Sequence, residues 1–242
     1  MSEEQKTAEK PAEAASNLNV KELGLIGKKV GMTQIFDEEG NVVPTTVVEL
    51  TDNYVTEVLT KAKNGYDAVQ VGAFDVKEKH LNKPTAGQFT KRGLPLLREL
   101  QEFRTPDPVE AKVGEKLDNA AFFDKLERVT ITATSIGKGF QGGVKLHNHA
   151  VGRRSHGSKS KRQIGSIGAG TTPSRVYKGK TMPAMMGNRT ITINRVEVVA
   201  YDAEKNLVLL RGPVPGKKGT LVTIKPHGLK TWNQYNKVKQ EA

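Results

Sequence analysis

A stretch of 54 residues, from 137 to 190, has too few apolar side chains to build a core of its own. It contains eleven Lys or Arg, no Asp or Glu, and only seven Val, Ile, Leu or Phe. Ordering one residue costs about 1–2 kcal/mol of backbone entropy, which so few buried side chains cannot offset. We therefore predict an extension that lies outside any hydrophobic core, is disordered in the free protein and becomes ordered on a partner.

The positive charge of the chain is concentrated in the same part of the sequence. Residues 128–196 contain 13 Lys or Arg and not one acid, whereas the remainder has 25 basic and 26 acidic residues. The net charge of +12 therefore comes from one continuous segment. A solvated protein face normally mixes charges of both signs, so this clustering favours a polyanionic partner over an ordinary surface.

The composition also excludes several classes of protein and site. The chain has no cysteine, so it has no disulfide, no thiolate metal site and no cysteine nucleophile. It has no run of about 18 apolar residues, so no membrane partner is expected. Residues 1–21 carry four acids and no apolar block, which predicts a disordered tail rather than a secretory or transit peptide.

Short segments rich in Val, Ile and Thr alternate with turn residues along most of the chain. "DEEGN" at 37–41 and Asn64-Gly65 are typical of turns, and the acids of "DEEGN" are better explained by turn chemistry than by a metal or acid–base site. Many short strands with frequent turns indicate a mainly β chain, arranged as a barrel or a sandwich. The pattern predicts strands over 30–36, 42–51, 54–60, 67–74, 128–135, 189–202, 206–212 and 220–225.

The pattern of short strands is interrupted between 77 and 118, where four prolines occur. Two short helices are predicted there, at 85–91 and 96–103. This region is therefore interpreted as an inserted small α+β element.

Three motifs are similar to catalytic or cofactor-binding motifs, but the sequence around each one does not support such a function. "GKGFQG" at 137–142 has the glycine spacing of a dinucleotide-binding turn, but no helix pattern follows it and no acid occurs before Glu197. "HNH" at 147–149 would need further ligands to hold a metal, and His156 is the one nearby candidate. "GPVPGKK" at 212–218 is one residue short of a phosphate-binding loop and joins two strands. No enzyme activity, metal or cofactor is therefore expected.

The residues of the segment 137–190 suit binding to RNA. Lys and Arg neutralise phosphates and release counterions, and glycine lets backbone N–H groups approach phosphate closely. Aromatic residues are sparse there, with Phe140 and Tyr177 as the two examples. This scarcity disfavours a base-stacking platform and favours recognition of the shape and backbone of a folded RNA.

Five blocks of sequence, long and in order, resemble a known family. Together they are similar to the universal ribosomal protein L3 family of the large subunit, in its bacterial form, and the resemblance runs from about Leu23 to Lys225. The blocks are GLIGKKVGMTQIF (24–36), SIGKGFQGGVK (135–145), RRSHGS (153–158), GSIGAGTTPSRVYKGKTMPAMMGN (165–188) and NLVLLRGPVPG (206–216).

The resemblance implies a mainly β fold: a six-stranded β-barrel of the translation-protein type with an inserted small α+β region and a long basic loop extension. The expected organisation is a disordered tail at 1–21, the barrel at 22–76 and 189–226, the inserted region at 77–136, the loop at 137–188 and a C-terminal tail at 227–242. Residues 137–188 are called the basic loop below.

The resemblance also implies a function. It predicts a structural constituent of the large ribosomal subunit in the cytoplasm, which binds large-subunit (23S-type) ribosomal RNA near its 3′ end and supports early assembly. The basic loop would penetrate the RNA toward the peptidyl transferase centre. Neighbouring large-subunit proteins are expected partners, and a homo-oligomer is not expected. The alternatives are a non-ribosomal RNA chaperone or architectural nucleic-acid binder and, less favoured, a nucleic-acid enzyme built on "HNH".

The candidate site residues follow from the basic clusters and the matching blocks. Ile167, Gly168, Ala169, Gly170, Thr171 and Thr172 are expected at the loop tip, nearest the catalytic RNA. Some bacterial members carry a methylated Gln in this tip, where Thr171 stands here, so that modification is not expected. The predicted RNA contacts are Lys28, Lys29, Lys138, Lys145, His147, His149, Arg153, Arg154, His156, Lys159, Lys161, Arg162, Arg175, Lys178, Lys180 and Arg189.

Overall fold

The computed structural model describes residues 23–105, 109, 111–123 and 126–227. Strands dominate these ranges, so the predicted mainly β class is confirmed. The described residues form two compact units, one from 23–24 and 52–122 and the other from 25–51 and 123–227. The strands are β1 (Leu25–Phe36), β2 (Val42–Leu50), β3 (Asn53–Leu59), β4 (Ala68–Asp75), β5 (Leu97–Arg104), β6 (Lys116–Leu117), β7 (Arg128–Thr134), β8 (Gly139–Gln141), β9 (Ala184–Met186), β10 (Thr190–Asp202), β11 (Leu207–Arg211) and β12 (Leu221–Pro226). The helices are α1 (Lys61–Asn64), α2 (Lys83–Arg92), α3 (Asn119–Phe123) and α4 (Gly143–His147), with a 3₁₀ turn at Glu78–His80.

Six antiparallel strands of the second unit close on themselves as a barrel. The order of pairing is β1-β12-β7-β10-β11-β2, and β2 pairs again with β1. Alternation builds much of the interior, because every second side chain of a strand faces the same side, although consecutive residues are buried in β1 and β2. The buried residues contributed by these strands include Leu25, Val48, Leu50, Val129, Ile131, Val208, Leu210, Val222 and Ile224.

The other unit contains a four-stranded antiparallel sheet in the order β5-β4-β3-β6. Helix α2 begins with a proline in its first turn, where a missing N–H costs nothing, and ends at Gly93 in the left-handed conformation. The Gly93 N–H donates to the carbonyl oxygens of Phe89 and Thr90, which closes the helix. Phe89 then packs with Leu94 and Leu97 as a small buried cluster.

The helix predicted over 85–91 is confirmed within α2, but the helix predicted over 96–103 is wrong. Those residues form strand β5, which pairs along its length with β4. The sequence "LRELQEFR" is rich in good helix formers, yet pairing with the neighbouring strand overrides that local preference. Leu97 and Phe103 lie on the same face of the strand and are both buried.

The predicted boundaries of the barrel also need correction. Strands β3 and β4 were expected in the barrel but belong to the four-stranded sheet, whereas β7 was expected in the inserted region but forms part of the barrel. Alternation identifies a half-buried strand without identifying the sheet to which it belongs. Membership depends on long-range register, such as Ala133 opposite Val222, which no local pattern encodes. The predicted tails lie outside the described residues, apart from His227.

Candidate nucleic-acid interface

The basic loop continues a pair of barrel strands. Strands β7 and β10 pair as far as Thr134 and Thr190, and the Ser135 N–H then donates to the Arg189 carbonyl oxygen over 2.9 Å. Further out, the Lys138 N–H donates to the Met186 carbonyl oxygen over 2.8 Å, and β8 pairs with β9. The loop therefore leaves the barrel as a two-stranded ribbon. We call 137–166 the outgoing arm, 167–172 the tip and 173–188 the return arm.

Two histidines connect the arms beyond this ribbon. Helix α4 ends at Asn148 in the left-handed conformation, and His147 and His149 lie at this end. The Nε2 atom of His147 lies 3.0 Å from the Met182 carbonyl oxygen, so this nitrogen carries the proton, because a carbonyl only accepts. The Nε2 atom of His149 lies 3.1 Å from Thr181 Oγ1. Both imidazoles, predicted as RNA contacts, thus use one ring nitrogen to hold the return arm.

The structure gives no support to a metal at these histidines. Within the described ranges, no group of three or more His, Cys, Asp or Glu side chains is placed to hold a metal ion. The His147 and His149 ring centroids are 5.8 Å apart, and each ring has a protein partner across the loop.

The outgoing arm folds back on itself at its most basic part. The Gly152 N–H donates to the Lys161 carbonyl oxygen over 2.9 Å, and a turn occupies the residues between them. A Cβ atom at Gly152 would lie 2.2 Å from the Ser160 carbonyl oxygen, so only glycine permits this approach. Six predicted contacts are displayed around this turn, all exposed: Arg153, Arg154, His156, Lys159, Lys161 and Arg162.

The tip is exposed at every position from Ile167 to Thr172. The Ser166 hydroxyl donates to the Gly168 carbonyl oxygen over 3.0 Å, and the Ser174 hydroxyl donates to the Thr171 carbonyl oxygen. Short side chains thus close the tip by bonding to its own backbone. The outward surface of 168–172 is therefore made of small residues, and Ile167 is the one large apolar side chain of the tip, 45% exposed.

The cations of the basic loop are displayed rather than neutralised. In the part of the chain that the structure describes, none of them forms an ion pair, and all are exposed; they are Lys138, Lys145, Arg153, Arg154, Lys159, Lys161, Arg162, Arg175, Lys178 and Lys180. Arg175 lies over the Tyr177 ring, 5.4 Å from its centroid, which leaves its charge uncompensated. Arg189, at the base of the ribbon, is also exposed.

The first acid after the segment belongs to a pairing network on the barrel. Glu197 accepts from Arg211 Nη1 over 2.7 Å and lies 3.6 Å from Arg128 Nη2. The hydrogen bond and charge of Arg211, followed by the charge of Arg128, hold the pKa of Glu197 below its usual value. Glu197 is therefore occupied by barrel cations and leaves those of the loop available to a partner.

Two lysines of β1, both predicted as RNA contacts, have different environments. Lys28 is exposed, whereas Lys29 is buried with 8% of its surface accessible. Lys29 Nζ donates to the carbonyl oxygens of Val214 at 2.6 Å and Gly216 at 3.0 Å, and burial lowers its pKa. Lys29 thus organises a loop of the barrel instead of displaying its charge. Strand alternation implies that one of two adjacent lysines faces inward, but not which one.

Two basic residues of this region were not predicted. Lys217 and Lys218 are exposed in the turn between β11 and β12. Lys218 Cε lies 3.5 Å from where a Cβ of Gly31 would stand, and Lys28 Cε lies 3.7 Å from that position at Gly219. The pairing of β1 with β12 therefore brings Lys28 beside this turn and forms a second basic patch. The adjacent lysines of "GPVPGKKG" are the signal in the sequence, which the interpretation of this segment as a turn does not use.

None of the helices among the described residues has the length and apolar character that crossing a membrane requires.

The family model and the individual relatives that match this chain indicate the same family. The family model described as ribosomal protein L3 matches residues 107–241. The chain is 47% identical over 205 residues to the large ribosomal subunit protein uL3c of Nicotiana tabacum, which covers 84% of this chain and 79% of that relative. It is 46% identical over 204 residues to the large ribosomal subunit protein uL3 of Nostoc punctiforme, which covers 84% of this chain and 97% of that relative. A basic ribbon without acids, mounted on a mainly β unit, thus occurs in a sequence that matches its relatives over most of its length, and the chain belongs to the ribosomal protein L3 family.

Proposed function

We propose that this chain is a structural, non-enzymatic constituent of the large ribosomal subunit that binds ribosomal RNA through its basic loop. The observation that carries the proposal is the display of ten exposed cations on the loop, without an ion pair among the described residues. Membership of the ribosomal protein L3 family supports the assignment to the large subunit.

The barrel and the basic loop would bind the RNA in different ways. The six-stranded barrel, as a member of the translation-protein type, would anchor the protein on the RNA surface, with Lys28, Lys217 and Lys218 facing phosphates. The ribbon would carry the outgoing arm into the RNA, where Arg and Lys side chains replace the counterions of converging phosphates. The RNA would supply the surroundings that a segment with so few apolar residues cannot supply for itself.

The finer assignments come from the family resemblance. The chain would bind the 23S-type RNA near its 3′ end, support an early step of subunit assembly and contact neighbouring ribosomal proteins. The tip, residues 167–172, would lie toward the peptidyl transferase centre. The short side chains of 168–172 suit a crowded RNA environment in which bulkier groups would not pack.

A non-ribosomal RNA chaperone would share the charge but would bind weakly and transiently. Sedimentation of the tagged full-length chain through sucrose gradients distinguishes the two functions. We expect it to co-sediment with large subunits and to remain bound through a high-salt wash that removes loosely associated factors. Release at moderate salt would contradict the ribosomal assignment. A variant with Arg153, Arg154, Lys161 and Arg162 replaced by Ser is expected to be lost from the subunit at lower salt.

A further inference from the structure

An exposed apolar pair lies on the ribbon at the base of the basic loop. Phe140 of β8 and Met185 of β9 stand directly opposite each other in the antiparallel pairing, so their side chains project from the same face. Phe140 is 67% exposed and Met185 is 60% exposed. Single exposed apolar residues are ordinary, but two large ones side by side on a narrow ribbon present a small continuous surface.

Two cations lie close to this surface. Arg189 Nη2 lies 3.4 Å from the Met185 carbonyl oxygen, which holds a guanidinium group at the edge of the pair. Lys138 is two residues from Phe140 and is exposed. The sequence has no acid anywhere between 128 and 196 that could offset these charges. An occupant of the pair must therefore combine a flat apolar face with negative charge close by.

An unpaired nucleotide has this combination. The face of its base is apolar and polarisable, which suits stacking on a phenylalanine ring and contact with a thioether, and its phosphate is the natural partner of the neighbouring cations. A protein partner would have to bring acids and an apolar side chain to the same narrow place. The charge of the surroundings thus favours RNA over protein.

We propose that the Phe140–Met185 pair is a docking site for the face of an unpaired base of large-subunit ribosomal RNA. This inference rests on the proposed function and refines it, because it adds one base contact to an interface otherwise made of phosphate contacts. It also gives the sparse aromatic content of the loop a specific role.

The test separates apolar from electrostatic contributions by their salt dependence. The full-length chain and its Phe140→Ala variant are titrated with a full-length large-subunit ribosomal RNA transcript at several salt concentrations. Loss of one stacked base is expected to weaken binding roughly five- to one-hundred-fold. The slope of log K against log salt should stay unchanged, because no phosphate contact is lost.

Phe36 provides a matched control. It is 65% exposed, like Phe140, but it adjoins the acidic turn Asp37-Glu38-Glu39. Phe36→Ala should leave the RNA affinity unchanged. If Phe140→Ala binds as tightly as the wild type while the wild type keeps a steep salt slope, the docking site is wrong and the RNA-binding function stands. If the wild type shows no salt-dependent binding, the proposed function itself fails.

Fluorescence supplies a second readout that does not depend on affinity. Trp232 is the single tryptophan of the chain, so Phe140→Trp in a Trp232→Phe background places one reporter at the site. Stacking of a base should quench the fluorescence of this tryptophan when RNA binds. The fluorescence of Phe36→Trp in the same background should not change on RNA binding. Unquenched emission from Phe140→Trp in the RNA-bound state would overturn the proposal.

Discussion

The Nζ atom of Lys29 lies 2.6 Å from the carbonyl oxygen of Val214, although the two residues are 185 positions apart in the chain. The same ammonium group donates to the Gly216 carbonyl oxygen. These bonds fix the turn that carries Lys217 and Lys218, so a buried lysine positions two exposed ones.

We expect Lys29→Met to lower the free energy of unfolding by about 1–3 kcal/mol, because two carbonyl groups lose their donor within a buried region. Urea unfolding followed by circular dichroism measures the change. Lys28→Met is the control, since the Lys28 side chain is exposed, and it should unfold at the wild-type midpoint. Equal midpoints for both variants would show that the Lys29 bonds contribute nothing.

The pH dependence of stability should carry the signature of Lys29. Burial lowers its pKa in the folded protein below the ordinary value of 10.5. Between the lowered value and 10.5 the unfolded chain binds more protons than the folded protein, so the free energy of unfolding rises with pH. We expect the difference in stability between wild type and Lys29→Met to grow as pH rises through this window. A constant difference across that range would contradict the assignment.

Gly152→Ala should weaken RNA binding without destabilising the barrel. A Cβ at this position would lie 2.2 Å from the Ser160 carbonyl oxygen, so the outgoing arm must open where it folds back. Overpacking of this kind costs about 1–3 kcal/mol. Gly142→Ala is the control, because its Cβ would meet nothing within 4 Å and its φ is negative. Filter binding to ribosomal RNA and urea unfolding together measure the effect; a lowered unfolding midpoint for Gly152→Ala would show that the arm is coupled to the barrel.

Each cation around the turn between Gly152 and Lys161 should contact one phosphate. Arg153→Ala, Arg154→Ala, Lys161→Ala and Arg162→Ala should each reduce the slope of log K against log salt by about one unit. Arg98→Ala is the control, since this exposed residue belongs to the four-stranded sheet. Slopes identical to the wild type for all four variants would refute phosphate contact by this part of the loop.

The free protein should exchange hydrogens unevenly. We expect amides of 137–190 to exchange rapidly without RNA, because few buried apolar contacts hold this segment, while barrel amides such as Ile224 stay protected. Addition of ribosomal RNA should slow exchange at the Gly152 amide, which donates within the outgoing arm. Strong protection of the loop in the absence of RNA would contradict a segment that becomes ordered on its partner.

Local patterns predict eight of the twelve strands among the described residues, miss β5, β6, β8 and β9, and do not predict which strands pair. The alternation of Val129, Ile131 and Ala133 identified β7, but its neighbour β12 lies about ninety residues away, and only register across that distance places it in the barrel. The "LRELQEFR" segment was predicted as a helix because its propensities point that way, and pairing with β4 decides otherwise.

At the candidate interface, composition located the cations but could not describe their surroundings. The absence of acids identified the basic loop, since charge clustering is visible in sequence. That Lys29 faces inward, that His147 and His149 hold the return arm, and that Lys28 lies beside the turn at Gly219 all depend on contacts between distant segments. Single-sequence reasoning has no access to such contacts.

The pairing of β1 with β12 has a consequence for biosynthesis. Leu25 lies opposite Ile224, so the barrel cannot close until nearly two hundred further residues have been translated. The ten cations of the basic loop leave the exit tunnel before that closure, while the ribbon's anchor is still incomplete. During this interval a newly made chain is a tethered polycation in a cell rich in nucleic acid, and its yield will depend on what shields the loop until the last strand arrives.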